Sequence, residues 1–153
     1  MRLAINMSTL RGFGSATVGR QFLASLDSHR EHDYLAWVPD NWHLAPPQGG
    51  AVICQARPGL ARKFLRETLS IPAAIGRWNG ERLFSMGDTG SIAPRVPHLL
   101  LVHQAYLAYR PEQWGFIPPV GLRLKMGVML AYLRSALRNV TCVTVQTESM
   151  RAH

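Results

Sequence analysis

The sequence has few of the residues that stabilise small proteins through disulfides or metals. Its 153 residues include two cysteines, too few for a disulfide framework or a cysteine-rich zinc site. Both Cys54 and Cys142 lie in apolar stretches, so we expect buried, reduced thiols, which are compatible with a cytoplasmic location. No histidine pair has the spacing of a helical zinc motif, and we expect no metal cofactor.

Long apolar runs are also missing. The longest uncharged apolar stretch near the C-terminus covers residues 126–133, far fewer than the ~20 residues of a membrane-spanning helix. The N-terminal residues lack the apolar core and cleavage site of a signal peptide. We therefore expect a cytoplasmic protein built as one domain over residues 1–153, with any membrane contact peripheral.

Acidic residues and lysine are scarce, whereas arginine is abundant. Nine Asp and Glu stand against 17 Lys and Arg, which gives a formal net charge of +8, and only Lys63 and Lys125 are lysine. Arginine favours bidentate contacts with phosphate or carboxylate, so the open partners are a polyanionic ligand, an acidic membrane surface and nucleic acid. Nucleic acid ranks last, because no zinc finger, RNP-like motif or compact basic run is present.

Short apolar segments alternate with amphipathic ones along the chain. The pattern predicts strands at residues 3–6, 33–38, 51–55, 81–86, 98–103 and 140–145. It predicts helices from Ser15, which we take as the N-cap, from Pro58, and over residues 122–138. Such alternation indicates an α/β fold with a Rossmann-like parallel sheet and helices on both faces. Ligands should then bind beyond the carboxyl ends of the strands.

The second and third helices make further predictions. The second helix should bury one apolar face, formed by Leu60, Phe64, Leu65 and Leu69. Pro72 should disturb this helix near its end. The third helix has a basic flank, formed by Arg123, Arg134 and Arg138. Such a flank suits contact with anionic lipid, although a solvated flank on a core helix is the simpler interpretation.

A glycine-bearing loop follows the first predicted strand. Gly12, Gly14 and Ser15 lie between that strand and the first helix. Glycines let the backbone approach a phosphate closely, and the start of a helix carries partial positive charge. The spacing matches neither a dinucleotide fingerprint nor a P-loop. A tight turn that needs positive φ explains the glycines equally well.

A histidine ends the clearest buried strand. His103 should face the crevice at the strand ends, where an imidazole can donate to a phosphate or a sugar hydroxyl, or transfer a proton. A hydrogen-bonded structural histidine is the alternative, and it is our expectation for His98 at the other end of the strand. Gln104 and Tyr106 follow in the long loop over residues 104–120.

Three segments together resemble the N-terminal domain of family 4 glycosyltransferases, the group 1 enzymes of GT-B fold. MRLAINMSTLRGFGSATVGRQFLASL resembles the opening strand, glycine loop and first helix. VPHLLLVHQAYLAY resembles the strand that ends in a histidine facing the cleft. LRLKMGVMLAYLRSALRNVTCVTVQTESMRAH resembles the helix and strand that precede the crossover, and it is the most specific match.

The resemblance implies a retaining glycosyltransferase with two Rossmann-like domains and the active site between them. The C-terminal domain would hold most of the nucleotide-diphospho-sugar donor, and the N-terminal domain would bind the acceptor. By the same resemblance, Gly12, Gly14 and Ser15 would lie against the donor diphosphate or the acceptor. His103 would approach the transferred sugar as the catalytic candidate. Gln104 and Tyr106 would belong to the acceptor-side loop.

The chain departs from the family at one point. No glutamate has another glutamate eight positions on, so the donor-contacting Glu-x7-Glu segment is missing, and the donor-binding domain with it. We therefore expect a truncated enzyme or one half of a split enzyme, inactive alone and completed by a C-terminal donor-binding domain or a separate chain. The alternative hypothesis is a non-catalytic α/β module that binds a phosphorylated or anionic ligand, in one version at a membrane surface.

Overall fold

A six-stranded sheet forms the centre of the molecule. The computed structural model describes residues 1–29, 31–44, 47–57, 59–104, 107 and 118–145. The strands are β1 (Arg2–Asn6), β2 (Asp33–Pro39), β3 (Gly50–Gln55), β4 (Arg82–Ser85), β5 (His98–Val102) and β6 (Cys142–Val145). All neighbouring strands pair in parallel, in the order β3-β2-β1-β4-β5-β6. This is the Rossmann order, and it confirms the predicted fold class.

Helices cover both faces of this sheet. They are α1 (Phe13–Ser28), α2 (Leu60–Leu65), α3 (Ile71–Trp78) and α4 (Val120–Leu137), with a π-helical segment (Arg66–Ser70) that joins α2 to α3. Because successive side chains of a strand point to opposite faces, Ile5 packs in the cluster that includes α1, whereas Ala4 packs against α3. Both residues are fully buried, as expected for a central parallel strand.

Helix α4 lies on the same face as α3. Its Met129 and Leu133 pack against Leu100 and Val102 of β5. The strand register shows that Leu100 points to the face that carries α3. Ala4, which packs against α3, pairs with Leu83, and Leu83 pairs with His98. Paired residues point to the same face, and so does Leu100, two residues after His98. No described helix is long and apolar enough to cross a membrane.

The prediction that Ser15 caps α1 is wrong. The helix begins two residues earlier, and Gly12 is its N-cap, with an extended backbone at φ −68° and ψ 147°. Ser15 lies inside the first turn, where its hydroxyl donates to the carbonyl of Gly12 at 3.0 Å. A serine at this position bonds backward to the chain instead of capping the N–H groups ahead of it.

The predicted apolar face of the second helix is also wrong in part. Leu65 and Leu69 are 57% and 61% exposed. At about 100° per residue, Leu65 and Leu69 point away from the face of Leu60 and Phe64, and the buried Glu67 and Ile71 continue that face instead. Pro72 directly follows the π-helical segment, and this departure from α-helical hydrogen bonding agrees with the prediction that Pro72 disturbs the helix.

Both cysteines are exposed, which corrects the expectation of buried thiols. Cys54 lies on β3 and Cys142 on β6, and these are the two edge strands of the sheet. Fewer neighbours cover a side chain at an edge than at the centre. Cys142 pairs with Leu99, so it points to the face opposite α4 and gains no cover from that helix.

Candidate functional site

The carboxyl ends of β1, β4 and β5 meet at one edge of the sheet. Strands β1 and β4 are neighbours, and the strand order reverses between them. The chain leaves β1 for α1 on one face, whereas α3 and α4 lie on the other face. Connections that diverge to opposite faces open a crevice at this edge, which is where ligands bind in open α/β sheets.

A buried carboxylate holds the end of β5 in this crevice. Asp88 lies in the loop after β4 with φ 62°, a left-handed conformation that is uncommon outside glycine. Its Oδ1 accepts the backbone N–H groups of His103 at 2.7 Å and Gln104 at 2.8 Å. Its Oδ2 lies 3.2 Å from Nε2 of His103. These contacts give the buried carboxylate the partners that its burial requires.

The contact with Asp88 orients the ring of His103. Of the two neutral tautomers, a carboxylate beside Nε2 selects the one with its proton on that nitrogen, which leaves Nδ1 as a hydrogen-bond acceptor. The side chain is 18% exposed and lines a cavity of about 410 Å³. Gly14 and Ser15 line the same cavity, so the structure brings together three of the predicted site residues.

The backbone conformation does not require glycine at position 12 or position 14. Gly12 has a φ of −68°, which any residue adopts, so the tight-turn explanation does not apply to it. A Cβ on Gly14 would meet no described atom within 4 Å, and one on Gly12 would meet only the Ser15 hydroxyl, at 3.2 Å. The fold therefore has room for side chains at both positions.

A second cavity of about 510 Å³ adjoins the first, on the other side of the loop after β1. Gly12 and Gln104 line it, together with Arg11, Arg57, Lys63 and Lys125. We call it the cationic cavity. It contains both lysines of the chain, although one comes from α2 and the other from α4.

A buried glutamate lies beneath this edge. Glu67 of the π-helical segment is 1% exposed, and its Oε1 accepts from Thr89 Oγ1 at 3.1 Å and more weakly from Asn6 Nδ2 at 3.5 Å. Its Oε2 has no hydrogen-bond partner in the described part of the chain. Burial raises the pKa of this carboxyl to about 7, against the lowering effect of Lys63 and of both hydrogen bonds. π-Helical segments are frequent at functional sites.

His98 has the structural role that was expected of it. The residue is fully buried, and its Nε2 lies 2.9 Å from the Ser85 hydroxyl. Burial lowers the pKa of His98 to about 4, so the ring is neutral at ordinary pH.

Part of the predicted site lies outside the described residues. Tyr106 and most of the loop over residues 104–120 belong to that part, as does Pro58, from which the second helix was predicted to begin. Sequence reasoning missed Asp88, Glu67 and Arg57. Asp88 follows a predicted strand, but its contact with the end of β5 is tertiary and no local pattern indicates it. Glu67 follows Leu60 and Phe64 at helical spacing, but glutamate is rarely buried, so its residue type gave no signal of burial.

Comparison with known proteins adds no family to this description. Neither a scan against protein-family models nor a search of curated proteins returned a match. Among the residues that the structure describes, no group of three or more His, Cys, Asp or Glu is placed to hold a metal ion.

Proposed function

We propose that this chain is the N-terminal, acceptor-side domain of a retaining glycosyltransferase, and that His103 contacts the sugar of a nucleotide-diphospho-sugar donor. One observation carries the proposal. His103 is held by the buried Asp88 at the carboxyl edge of a Rossmann-ordered sheet, in a cavity shared with Gly14 and Ser15. Two of the three segments that resemble family 4 glycosyltransferases contain Gly14, Ser15 and His103.

The proposed chemistry follows from the orientation of His103. With Nε2 directed at Asp88, Nδ1 can accept a hydrogen bond from a sugar hydroxyl and so position the sugar for transfer. The first turn of α1 has no acidic residue and no side-chain cap at Gly12. Its N–H groups therefore suit the oxygens of a diphosphate. A second, donor-binding domain would supply the remaining contacts.

The proposal is tested by calorimetric titration of the chain with a nucleotide-diphospho-sugar and with the matching nucleoside diphosphate. We expect the wild type to bind the nucleotide-diphospho-sugar more tightly than the nucleoside diphosphate. His103→Ala should reduce this ratio of affinities about tenfold. His43→Ala is the control, since His43 is an exposed histidine. An equal gain from the sugar in the His103→Ala variant would contradict the proposal.

The cationic cavity favours a second candidate function, a non-catalytic module that recognises a phosphorylated ligand. Such a module would bind phosphate-bearing compounds through Lys63 and Lys125 without regard to a sugar nucleotide. The same titration separates the two functions, because His103→Ala would leave the binding of a pure phosphate module unchanged.

A further inference from the structure

Basic side chains from four separate elements converge on the cationic cavity. Arg11 comes from the loop after β1, Arg57 from the segment after β3, Lys63 from α2 and Lys125 from α4. Residues so far apart in sequence meet only because the parallel sheet collects these elements at its carboxyl edge. No described residue that lines the cavity is acidic.

Most of this positive charge has no ion-pair partner among the described residues. Arg11 is engaged, because its guanidinium donates to Asp40 Oδ1 at 2.9 Å and to the carbonyl of Gln55 at 2.8 Å. Within the described ranges, neither Arg57 nor either lysine forms an ion pair. Like charges gathered around one cavity repel each other, and a bound anion would relieve that repulsion.

The nearest acid is a poor counterion for these groups. Glu67 lies one helical turn after Lys63, but it is buried beneath the strand ends and does not line the cavity. Because its pKa is raised to about 7, this carboxyl is protonated in about half of the molecules at neutral pH. The charge of Lys63 is therefore only partly offset from below.

The cavity has the size and polarity for a small phosphorylated molecule. Its volume of about 510 Å³ lies within the ~300–1,000 Å³ range of small-molecule sites. Lysine contributes a compact charge to a phosphate and arginine a bidentate fork. Thr9 and Gln104 add polar groups to the wall.

We propose that the cationic cavity binds a phosphate group carried by the acceptor substrate, held by Lys63, Lys125 and Arg57 next to the cavity of His103. The binding of phosphate follows from the cavity alone. Its assignment to the acceptor rests on the proposed glycosyltransferase function.

The test is calorimetric titration with glucose 6-phosphate, with inorganic phosphate and with glucose, at one fixed salt concentration. We expect the two phosphates to bind and glucose not to bind. Lys63→Gln and Lys125→Gln should each weaken binding at least about tenfold. Arg62→Gln and Arg123→Gln are matched controls, because they remove one positive charge from α2 and α4 outside the cavity, and they should change affinity less than about twofold.

Two further arms complete the experiment. Thermal melting checks each variant for folding, and Arg57→Gln replaces Lys63→Gln if the latter unfolds. Co-sedimentation with phosphatidylcholine vesicles, with and without phosphatidylglycerol, identifies the source of the phosphate. Binding to the anionic vesicles that depends on Lys63 and competes with glucose 6-phosphate assigns the site to a lipid headgroup. Binding of the free phosphates alone assigns it to a soluble compound.

Some outcomes would overturn the site. These are no binding of any phosphate, equal binding of glucose, or equal losses in the Arg62 and Arg123 controls, which would indicate diffuse electrostatic attraction. The site and the proposed function fail separately. Phosphate binding that depends on Lys63, together with no effect of His103→Ala on sugar nucleotides, would retain the site and remove the glycosyltransferase function.

Discussion

Replacing Glu67 with glutamine should stabilise the protein above neutral pH and change it little in acid. The carboxyl is buried, and burial raises its pKa from 4.5 to about 7 in the folded state. Between these two values the folded chain keeps a proton that the unfolded chain releases. The stability from this group is therefore complete below about pH 4.5 and is lost as the pH rises through about 7.

The size of the effect follows from the difference between the two pKa values. At about 1.4 kcal/mol for each pH unit, a rise from 4.5 to about 7 corresponds to roughly 3 kcal/mol of unfolding free energy. Glutamine resembles the protonated acid in shape and still offers an oxygen to the hydroxyl of Thr89. Glu67→Gln should therefore match the wild type near pH 4.5 and exceed its stability by up to roughly 3 kcal/mol near pH 8.5.

Other charges near Glu67 shape the pH dependence without reversing it. Lys63 and Arg66 favour the ionised carboxylate, and their influence is already contained in the pKa of about 7. His98 acts in the opposite direction, since its lowered pKa of about 4 makes it contribute stability that is lost as the pH falls below about 6.5. His98 is present in both proteins, so its contribution cancels in their difference.

The assay is urea denaturation of wild type and variant, followed by tryptophan fluorescence, at several values between about pH 5 and about pH 8.5. The buried Trp37 and Trp42 provide the signal. Glu31→Gln, which replaces an exposed glutamate, is the control and should show no comparable trend. A stability difference between Glu67→Gln and wild type that is constant over this range would refute the reasoning.

Two other predictions concern the carboxylate that contacts His103 and two glycines of α1. Asp88→Asn should leave the chain folded but move the ring proton of His103 to Nδ1, because the amide donates a hydrogen bond to Nε2 where the carboxylate accepted one. The ¹⁵N chemical shifts of the ring measure the tautomer, and an unchanged tautomer would contradict this prediction. Gly19→Ala should cost about 1–3 kcal/mol, since its Cβ would collide with the buried Trp42. Gly14→Ala in the same helix should gain about 0.5–1 kcal/mol, and equal melting temperatures of the two alanine variants would contradict this contrast.

The sheet was predictable because each strand carries its own signal. Residues 98–103 form a continuous apolar run, which indicates a strand covered on both faces, and β5 occupies residues His98–Val102. The buried face of the helix after β3 was predicted only in part. Leu65 and Leu69 lie on the opposite side of the helix from Leu60 at about 100° per residue, whereas Glu67 and Ile71 follow Leu60 and Phe64 at helical spacing. The π-helical segment itself was not predictable, because local periodicity contains no information about where a helix adds a residue to one turn.

The candidate site divides in the same way. His103 and the glycines follow strands directly, so the rule that ligands bind at carboxyl ends was enough to single them out. Asp88 was hidden, because it follows a weakly predicted strand within a loop rich in glycine and proline, where a solvated carboxylate is the ordinary interpretation. Its role depends on a left-handed turn that carries the side chain under the end of β5. That is a tertiary contact, and no local pattern contains it.

The loop after β1 connects the two halves of the site. Leu10 and Gly14 face the cavity of His103, whereas Thr9 and Arg11 face the cationic cavity. One stretch of backbone therefore forms a wall of both cavities. A phosphate bound on one side would contact the same loop that limits the space for a sugar on the other. This arrangement explains why glycine suits Gly14, which the fold leaves unconstrained: a side chain there would project into the space that the proposed sugar needs.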